Sequence, residues 1–179
     1  METHGKRTFS RRAAAAISFF IAHALASATA SAEKPATAGS RPRVVRRVVV
    51  SIPDCKLALL ENDRVVRVYP VAVGADKSPT PAGTFAIVNR IANPTYYRRG
   101  KVIPAGAFNP LGTRWIGLDI KGFGIHGTDA PSSIGYRRSH GCIRMLNRDV
   151  EELFEQLRPG DLVELHGERT PELAGLFVG

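Results

Sequence analysis

Short apolar runs separated by turn-forming residues fill most of the chain from residue 44 onward. The runs are rich in Val, Ile, Leu and aromatic side chains, which is typical of buried or half-buried β-strands. They cover residues 44–52, 56–61, 65–74, 80–88, 114–120, 122–127 and 161–167. Asn62 and Asp63 separate two of them and indicate a hairpin turn. The pattern predicts a mostly β domain over residues 44–167.

One segment has the periodicity of an amphipathic helix instead. Its apolar residues follow the i, i+3, i+4, i+7 spacing that brings side chains to one helix face: Val150, Leu153, Phe154 and Leu157. Asn147 stands where a helix-capping residue is expected, and Pro159-Gly160 ends the segment. We therefore expect one well-defined helix after the second cysteine of the chain.

The first 43 residues follow neither pattern. Residues 1–32 combine a basic head, an alanine-rich apolar stretch and an A-x-A site, which predicts a secretory signal peptide cleaved after Ala32. An uncleaved membrane anchor is the alternative, and Arg11-Arg12 leaves twin-arginine export open. Residues 33–43, rich in Pro, Ala, Gly and Ser, predict a flexible linker. Residues 168–179 follow the last predicted strand as a C-terminal tail.

The chain is basic, with 25 Lys and Arg residues against 16 Asp and Glu residues and a formal net charge of +9. The predicted signal peptide holds four basic residues and one acidic residue, so the mature part keeps a net charge of +6. A positive surface suits an anionic cell wall or membrane, and it also suits nucleic acid. Predicted export argues against nucleic acid as a partner.

The two cysteines, Cys55 and Cys142, leave four interpretations of Cys142 open from the residues alone: half of a disulfide, a nucleophile, a metal ligand or a small apolar residue in a core. In an exported protein the pair can form a disulfide. As a nucleophile, Cys142 would need a base and backbone N–H donors for an oxyanion, for which His126 and Gly141 are candidates. A zinc site would have to draw on scattered ligands, with no C-x-x-C or H-x-x-x-H pair among them: His126, His140, Cys142 and His166.

The residues around Cys142 resemble the catalytic domain of the L,D-transpeptidases, the YkuD-like family. The matching segments are I-H-G-T at 125–128, P-S-S-I-G at 131–135 and S-H-G-C-I-R-M at 139–145, with T-P-A-G-T-F at 80–85 upstream. The resemblance covers residues 44–167 and implies a single YkuD-like β-sandwich domain with one main helix after the cysteine. It also implies a cysteine acyltransferase that uses no cofactor and no metal.

The resemblance gives each residue of the motif a role. Cys142 corresponds to the nucleophile and His126 to the general base and acid, with the backbone carbonyl of Gly127 orienting the imidazole. The backbone N–H groups of Gly141 and Cys142 correspond to the oxyanion donors. Asp129 is a rival orienting group for His126.

Further residues are expected to support the site or to bind substrate. Ser139 and His140 belong to the motif and are expected to support the site, His140 not being the base. Arg144 is expected to bind a stem-peptide carboxylate, because a guanidinium pairs with a carboxylate through two hydrogen bonds. A surface arginine near the helix start is the alternative. Residues 96–99 form either a lid over the donor groove or a plain surface loop.

The implied substrates are peptidoglycan stem peptides, as donor and as acceptor. The Cys142 thiolate attacks the carbonyl of the third stem residue, releases D-alanine and passes the acyl group to an amine, which forms a 3→3 cross-link. Transfer to water, to a lipoprotein lysine or to a D-amino acid would use the same cysteine, and cysteines of this family also react with carbapenems. The implied location is the periplasm or cell wall. A wall-binding module without catalysis is a second class, but it would not need both His126 and Cys142.

Overall fold

The apolar runs form strands in the computed structural model, which describes residues 44–98 and 100–178. The strands are β1 (Arg46–Ser51), β2 (Lys56–Glu61), β3 (Arg64–Pro70), β4 (Val73–Gly74), β5 (Gly83–Ala92), β6 (Tyr96–Arg98), β7 (Lys101–Ile103), β8 (Arg114–Leu118), β9 (Gly124–His126), β10 (Arg137–Ser139), β11 (Ile143–Arg144) and β12 (Leu162–His166). The helices are α1 (Asn147–Gln156) and the short α2 (Pro171–Gly175). The predicted mostly β fold with one main helix is confirmed. The predicted signal peptide (1–32) and linker (33–43) lie outside the described residues.

Eight of the strands form one mixed sheet, in the order β11-β9-β8-β5-β12-β1-β2-β3. The β1–β12 and β9–β11 pairs are parallel, and the other neighbouring pairs are antiparallel. The sheet curls into a half-barrel. The β-sandwich implied by the resemblance is therefore built from one curled sheet. Two small ribbons accompany it, β4 with β10 and β6 with β7.

Helix α1 lies against one face of this sheet, where the main hydrophobic core is found. Val150, Leu153 and Leu157 of the predicted apolar face are fully buried in that core. Ile125 and Ile143, from neighbouring strands β9 and β11, are buried in the same cluster. Because side chains alternate along a strand, their sequence neighbours point to the other face of the sheet.

The predicted capping role of Asn147 is wrong. The helix begins at Asn147, the residue before it is Leu146, and no side chain caps the first turn. The Asn147 carboxamide turns away from the helix and accepts hydrogen bonds from two loops, through the backbone N–H groups of Thr113 and Thr128. A capping-type residue can thus serve a long-range contact, which its position before an apolar run cannot reveal.

The segment predicted as a C-terminal tail contains helix α2 and packs on the domain. Thr170 caps this helix, because its hydroxyl accepts a hydrogen bond from the backbone N–H of Leu173. Leu173 is buried against Val49, Ala58 and Leu60, which form a second, smaller cluster. The helix is only five residues long, too short to give a clear periodic pattern, so the sequence analysis does not predict this element.

Residues 96–98 of the 96–99 insertion belong to a β-ribbon, in which Tyr96 pairs with Ile103 and Tyr97 with Val102. Its strands are three residues long and mostly exposed, which makes them hard to recognise in the sequence. Within residues 44–98 and 100–178, no helix is long and apolar enough to cross a membrane.

Candidate active site

Three side chains form a row across strands β8, β9 and β11. In the sheet register Trp115 pairs with His126, and His126 pairs with Arg144. The indole and imidazole rings stack, with ring centroids 5.8 Å apart and an interplanar angle of 23°. All three side chains line one cavity of about 570 Å³. The sheet register thus brings an aromatic ring, an imidazole and a guanidinium to one wall of a pocket.

Cys142 belongs to the same wall. It precedes Ile143, which pairs with Ile125, so it lies at the level of Gly124, two residues before His126 on the neighbouring strand. Residues two apart share a face of a strand, and Cys142 also lines the cavity. Its Sγ lies 3.4 Å from the carbonyl oxygen of Gly122. The parallel β9–β11 pair therefore joins the two residues that the sequence separates by a loop.

The imidazole of His126 has a defined tautomer. Its Nδ1 lies 2.6 Å from the carbonyl oxygen of Gly127, and because a carbonyl only accepts, Nδ1 carries the proton. Nε2 is then left with a lone pair. Burial lowers the pKa of His126 to about 4, and the nearby charge of Arg144 acts in the same direction. At neutral pH the imidazole is therefore an uncharged base.

The thiol of Cys142 is also uncharged in the resting site. Burial raises its pKa above the ordinary cysteine value, and the backbone N–H of Gly124 and the charge of Arg144 offset this only in part. The site therefore holds a neutral thiol and a neutral imidazole on the wall of one cavity.

The turn before Cys142 is held by two buried hydroxyl groups. The Ser139 hydroxyl accepts from the Gly141 N–H at 3.0 Å and donates to the Cys142 carbonyl at 2.5 Å. The Thr80 hydroxyl accepts from the Gly74 N–H at 2.8 Å and donates to the Gly141 carbonyl at 2.7 Å. The carbonyls of Gly141 and Cys142 and the N–H of Gly141 therefore all have hydrogen-bond partners within the protein.

These contacts differ from the expectation that Gly141 and Cys142 both donate to an oxyanion. The Gly141 N–H already donates to Ser139, because the turn folds its amide back over that hydroxyl. The Cys142 N–H has no hydrogen-bond partner among the described residues. Of the two predicted donors, only the Cys142 N–H is left without a partner among the described residues.

Comparison with known proteins identifies the family. The family model described as the L,D-transpeptidase catalytic domain, YkuD, matches residues 45–165. The chain belongs to this family.

Two curated relatives come from Bacillus. The "Putative L,D-transpeptidase YkuD" of Bacillus licheniformis is 44% identical over 119 residues, which is 66% of this chain and 64% of that protein. The "Putative L,D-transpeptidase YqjB" of Bacillus subtilis is 40% identical over 121 residues, 65% of this chain and 68% of that protein. The chain thus spans about two thirds of the length of these relatives.

The fold comparison agrees. An L,D-transpeptidase from Mycobacterium smegmatis superimposes with a TM-score of 0.59 over 69% of this chain and 59% of its own, at 21% identity. The curled sheet of this chain is therefore the fold of the L,D-transpeptidases.

The cavity of this L,D-transpeptidase domain is shaped by two glycines under Trp115. A Cβ at Gly117 would lie 2.8 Å from the indole Nε1, and one at Gly124 would lie 2.8 Å from two indole carbons. Asn89 accepts a hydrogen bond from Nε1 at 3.0 Å and fixes the ring over the sheet. The sequence alone leaves Trp115 as either core or pocket wall, and it forms the wall. The cavity is lined by residues of several strands and of the loops between them: Ile91, Pro94, Thr95, Tyr96, Tyr97, Arg98, Pro110, Leu111, Trp115, Gly122, His126, Ser139, His140, Cys142 and Arg144.

The remaining residues predicted for the site are Arg144, His140 and Asp129. Arg144 and His140 both line the cavity, and no acidic side chain among the described residues pairs with Arg144. His140 is exposed, whereas His126 is buried. Asp129 is exposed, and the Nδ1 proton of His126 goes to Gly127 instead.

The alternatives to a nucleophile have little support. Cys55 and Cys142 are both free thiols, so they form no disulfide. Cys55 is buried, and its Sγ lies 3.8 Å from the carbonyl oxygen of Ile52. No group of three potential metal ligands occurs among residues 44–98 and 100–178.

Sequence reasoning misses two supports of the site. The pattern around Thr80 indicates only a turn, yet its hydroxyl holds the peptide before Cys142. The position of Asn147 indicates a helix cap, yet its side chain contacts the loop that follows His126. The T-P-A-G-T-F segment is a signal for Thr80, whereas nothing in the local sequence pattern points to the contact of Asn147.

Proposed function

We propose that the protein is a peptidoglycan L,D-transpeptidase, with Cys142 as nucleophile and His126 as general base and acid. The observation that carries the proposal is the shared wall of β9 and β11. There a half-buried thiol lines the same cavity as a neutral imidazole whose Nδ1 proton is bound to the Gly127 carbonyl at 2.6 Å. This is the arrangement a cysteine nucleophile requires, because the base must offer its free nitrogen to the thiol.

In the first step the Cys142 thiol gives its proton to Nε2 of His126, and the thiolate attacks the carbonyl carbon of the third stem-peptide residue. A tetrahedral oxyanion forms, and the free N–H of Cys142 is the donor available to it. The C–N bond to the terminal D-alanine then breaks. His126 returns its proton to the departing amine, which leaves the tripeptide bound to Cys142 as a thioester.

In the second step an amine of another stem peptide attacks the thioester carbonyl. His126 accepts a proton from this amine, the C–S bond breaks, and the thiolate of Cys142 recovers the proton. The products are a 3→3 amide cross-link and the free thiol. Because the acceptor enters only in this step, water in place of the amine gives L,D-carboxypeptidase action, and a lipoprotein lysine gives wall attachment.

Arg144 is the candidate for binding a carboxylate of the donor peptide. Its guanidinium lies on the cavity wall next to His126 and has no acidic partner among the described residues. An arginine that lines a cavity without a protein counter-ion is suited to an anionic substrate group. His140, exposed at the same cavity, supports the site without acting as base.

The setting we propose is extracytoplasmic, in the periplasm or cell wall, because the substrate class lies there. A signal peptide over residues 1–32, a linker over 33–43 and a catalytic domain over 44–167 fit this location. Reaction of Cys142 with a carbapenem is an accessory expectation of the same chemistry.

The test is incubation of the full chain with muropeptides that carry tetrapeptide stems, followed by mass spectrometry. We expect dimers joined 3→3 and released D-alanine with the wild type and with Cys55→Ala, and neither product with Cys142→Ala. Cys55→Ala is the matched control, since it removes the other thiol. Tripeptides without dimers would identify a carboxypeptidase, and full activity in Cys142→Ala would overturn the proposal.

A further inference from the structure

Asn147 connects the start of helix α1 to two loops beside the active site. Its side-chain Oδ1 accepts hydrogen bonds from the backbone N–H of Thr128 at 3.1 Å and from that of Thr113 at 3.3 Å. Asn147 does not line the cavity, so it does not meet a substrate there. Its contacts are nevertheless with the segment that directly follows His126.

The Thr128 N–H and the Gly127 carbonyl belong to the same peptide unit, which is planar. The carbonyl end of this unit accepts the Nδ1 proton of His126 at 2.6 Å, and the N–H end donates to Asn147 at 3.1 Å. A rotation of the peptide plane would break both contacts together. The carboxamide of Asn147 and the imidazole of His126 are thus joined through one rigid group.

The Asn147 carboxamide fits between the loops because two neighbouring residues, Gly112 and Gly127, have no side chain. A Cβ at Gly112 or at Gly127 would lie 2.1 Å from Oδ1, closer than any side chain could remain. Gly112 also has a φ of +61°, a backbone conformation that favours glycine. Both glycines are buried. Two side-chain-free positions therefore form a slot that admits the carboxamide to the loops.

The neighbouring hydrogen bonds of the turn hold the 126–127 peptide, so the orientation of the 127–128 peptide depends on Asn147. The Gly127 N–H donates to the Arg114 carbonyl at 3.2 Å, and the His126 carbonyl accepts from the Met145 N–H at 2.8 Å. These contacts fix the peptide on the N-terminal side of Gly127. Asn147 is the partner that fixes the rotation of the 127–128 peptide from its N–H end.

We infer that Asn147 is a positioning residue for His126, which it orients through the peptide between Gly127 and Thr128. Removal of its oxygen leaves the Thr128 N–H buried without a partner, and the peptide turns to find another acceptor. The Gly127 carbonyl then moves off the Nδ1–H axis, and the imidazole loses the contact that fixes its orientation in the cavity. This inference rests on the proposed role of His126 as base, while its spectroscopic test does not.

The first measurement is the proton NMR signal of His126 Nδ1–H in the full chain, assigned by its loss in His126→Gln. We expect Asn147→Ala to shift this signal strongly or to lose it to solvent exchange. Asn147→Asp keeps an oxygen in the slot and is expected to restore it. Thr170→Ala is the matched control, because it too removes a side-chain oxygen that accepts a backbone N–H at a helix start, far from His126.

The second measurement is the rate of iodoacetamide alkylation at Cys142, followed on its peptide by mass spectrometry. This reaction needs the thiol and its base but no stem peptide. Its rate can therefore be interpreted even if stem peptides are not the substrate. We expect Asn147→Ala to slow alkylation about 10- to 100-fold, the range for a small misplacement of a reacting group. In a His126→Gln background the same substitution is expected to change the rate less than about twofold, because the effect passes through His126.

Two results would overturn the inference. One is a His126 Nδ1–H signal in folded Asn147→Ala that is the same as in the wild type. The other is an equal slowing of alkylation with and without His126, which would indicate a general structural role. If Asn147→Ala does not fold, Asn147→Leu keeps the volume without the acceptor and is judged by the same two results.

Discussion

The Nδ1 atom of His126 lies 2.6 Å from the carbonyl oxygen of Gly127, the residue that directly follows it. This contact makes the backbone, and not a carboxylate, the partner that sets the imidazole tautomer. Burial disfavours the imidazolium more than the hydrogen bond to the Gly127 carbonyl favours it, and the pKa of His126 is lowered to about 4. The pH behaviour of the protein should follow from this.

We expect the acidic limb of kcat/KM to lie near pH 4 rather than near pH 6.5, because His126 stays neutral until its lowered pKa is reached. On the alkaline side, direct alkylation of Cys142 should accelerate as pH rises past the ordinary cysteine range, because burial raises the pKa of the thiol. Both profiles are measured on the full chain, with Cys142→Ala as the blank. An alkylation rate that is constant from weakly acidic to alkaline pH would indicate a resting thiolate and contradict the neutral pair.

Folding stability should fall in mild acid through His126. The pKa of its imidazole is 6.5 when the chain is unfolded and about 4 in the folded state, so the unfolded chain binds a proton first as pH falls. The stabilisation is complete above pH 6.5 and is lost as pH falls toward 4, by about 3 kcal/mol at most. Urea unfolding at pH 7 and pH 4.5 measures it. His126→Gln should show a smaller loss between these two pH values, and an equal loss in both proteins would refute the assignment.

Gly141→Ala should disable the site. Gly141 has a φ of +113°, and a Cβ there would lie 2.7 Å from the Phe123 ring. The strain and the clash together should lower stability by about 2–3 kcal/mol and move the turn that precedes Cys142. Gly135→Ala is the control, since Gly135 also has a positive φ of +88° but open space around it. It should cost about 1 kcal/mol and leave alkylation of Cys142 intact. Equal losses of stability and of Cys142 alkylation in both variants would show that backbone strain, and not the contact with Phe123, causes them.

Arg144→Ala should raise the KM for a tetrapeptide donor about 10-fold or more, with a smaller change in kcat, because a charge-assisted hydrogen bond to a carboxylate would be lost. Arg144→Lys keeps the charge without the paired geometry, so its KM should lie between those of the wild type and Arg144→Ala. Steady-state kinetics of D-alanine release measure both constants. Arg148→Ala is the matched control, because Arg148 is exposed and pairs with Asp149 outside the cavity. A KM that does not respond to Arg144→Ala would assign the arginine to the surface.

Much of the fold could be predicted from the sequence because its signals are local. The runs that form β1, β2, β3 and β5 are long and apolar, and the helical spacing of Val150, Leu153 and Leu157 marks the buried face of α1. The β6–β7 ribbon and helix α2 escape prediction because elements of three to five residues are too short to show a periodic pattern.

The site was predictable only in part, for a related reason. The motif names Cys142 and His126, but which amides are free depends on contacts between distant segments. The Gly141 N–H is occupied by Ser139, and the Asn147 carboxamide reaches Thr128 rather than its own helix. Such partners are set by tertiary packing, which one sequence does not display.

A covalent acyl-enzyme on Cys142 is the most direct test of the proposed chemistry. The full chain is mixed briefly with a tetrapeptide muropeptide in the absence of any added acceptor, quenched in acid and measured by intact mass spectrometry. We predict a mass increase equal to the donor minus D-alanine, located on the peptide that contains Cys142 and absent in Cys142→Ala. Release of D-alanine by Cys142→Ala, or an adduct on any residue other than Cys142, would contradict the assignment of the nucleophile.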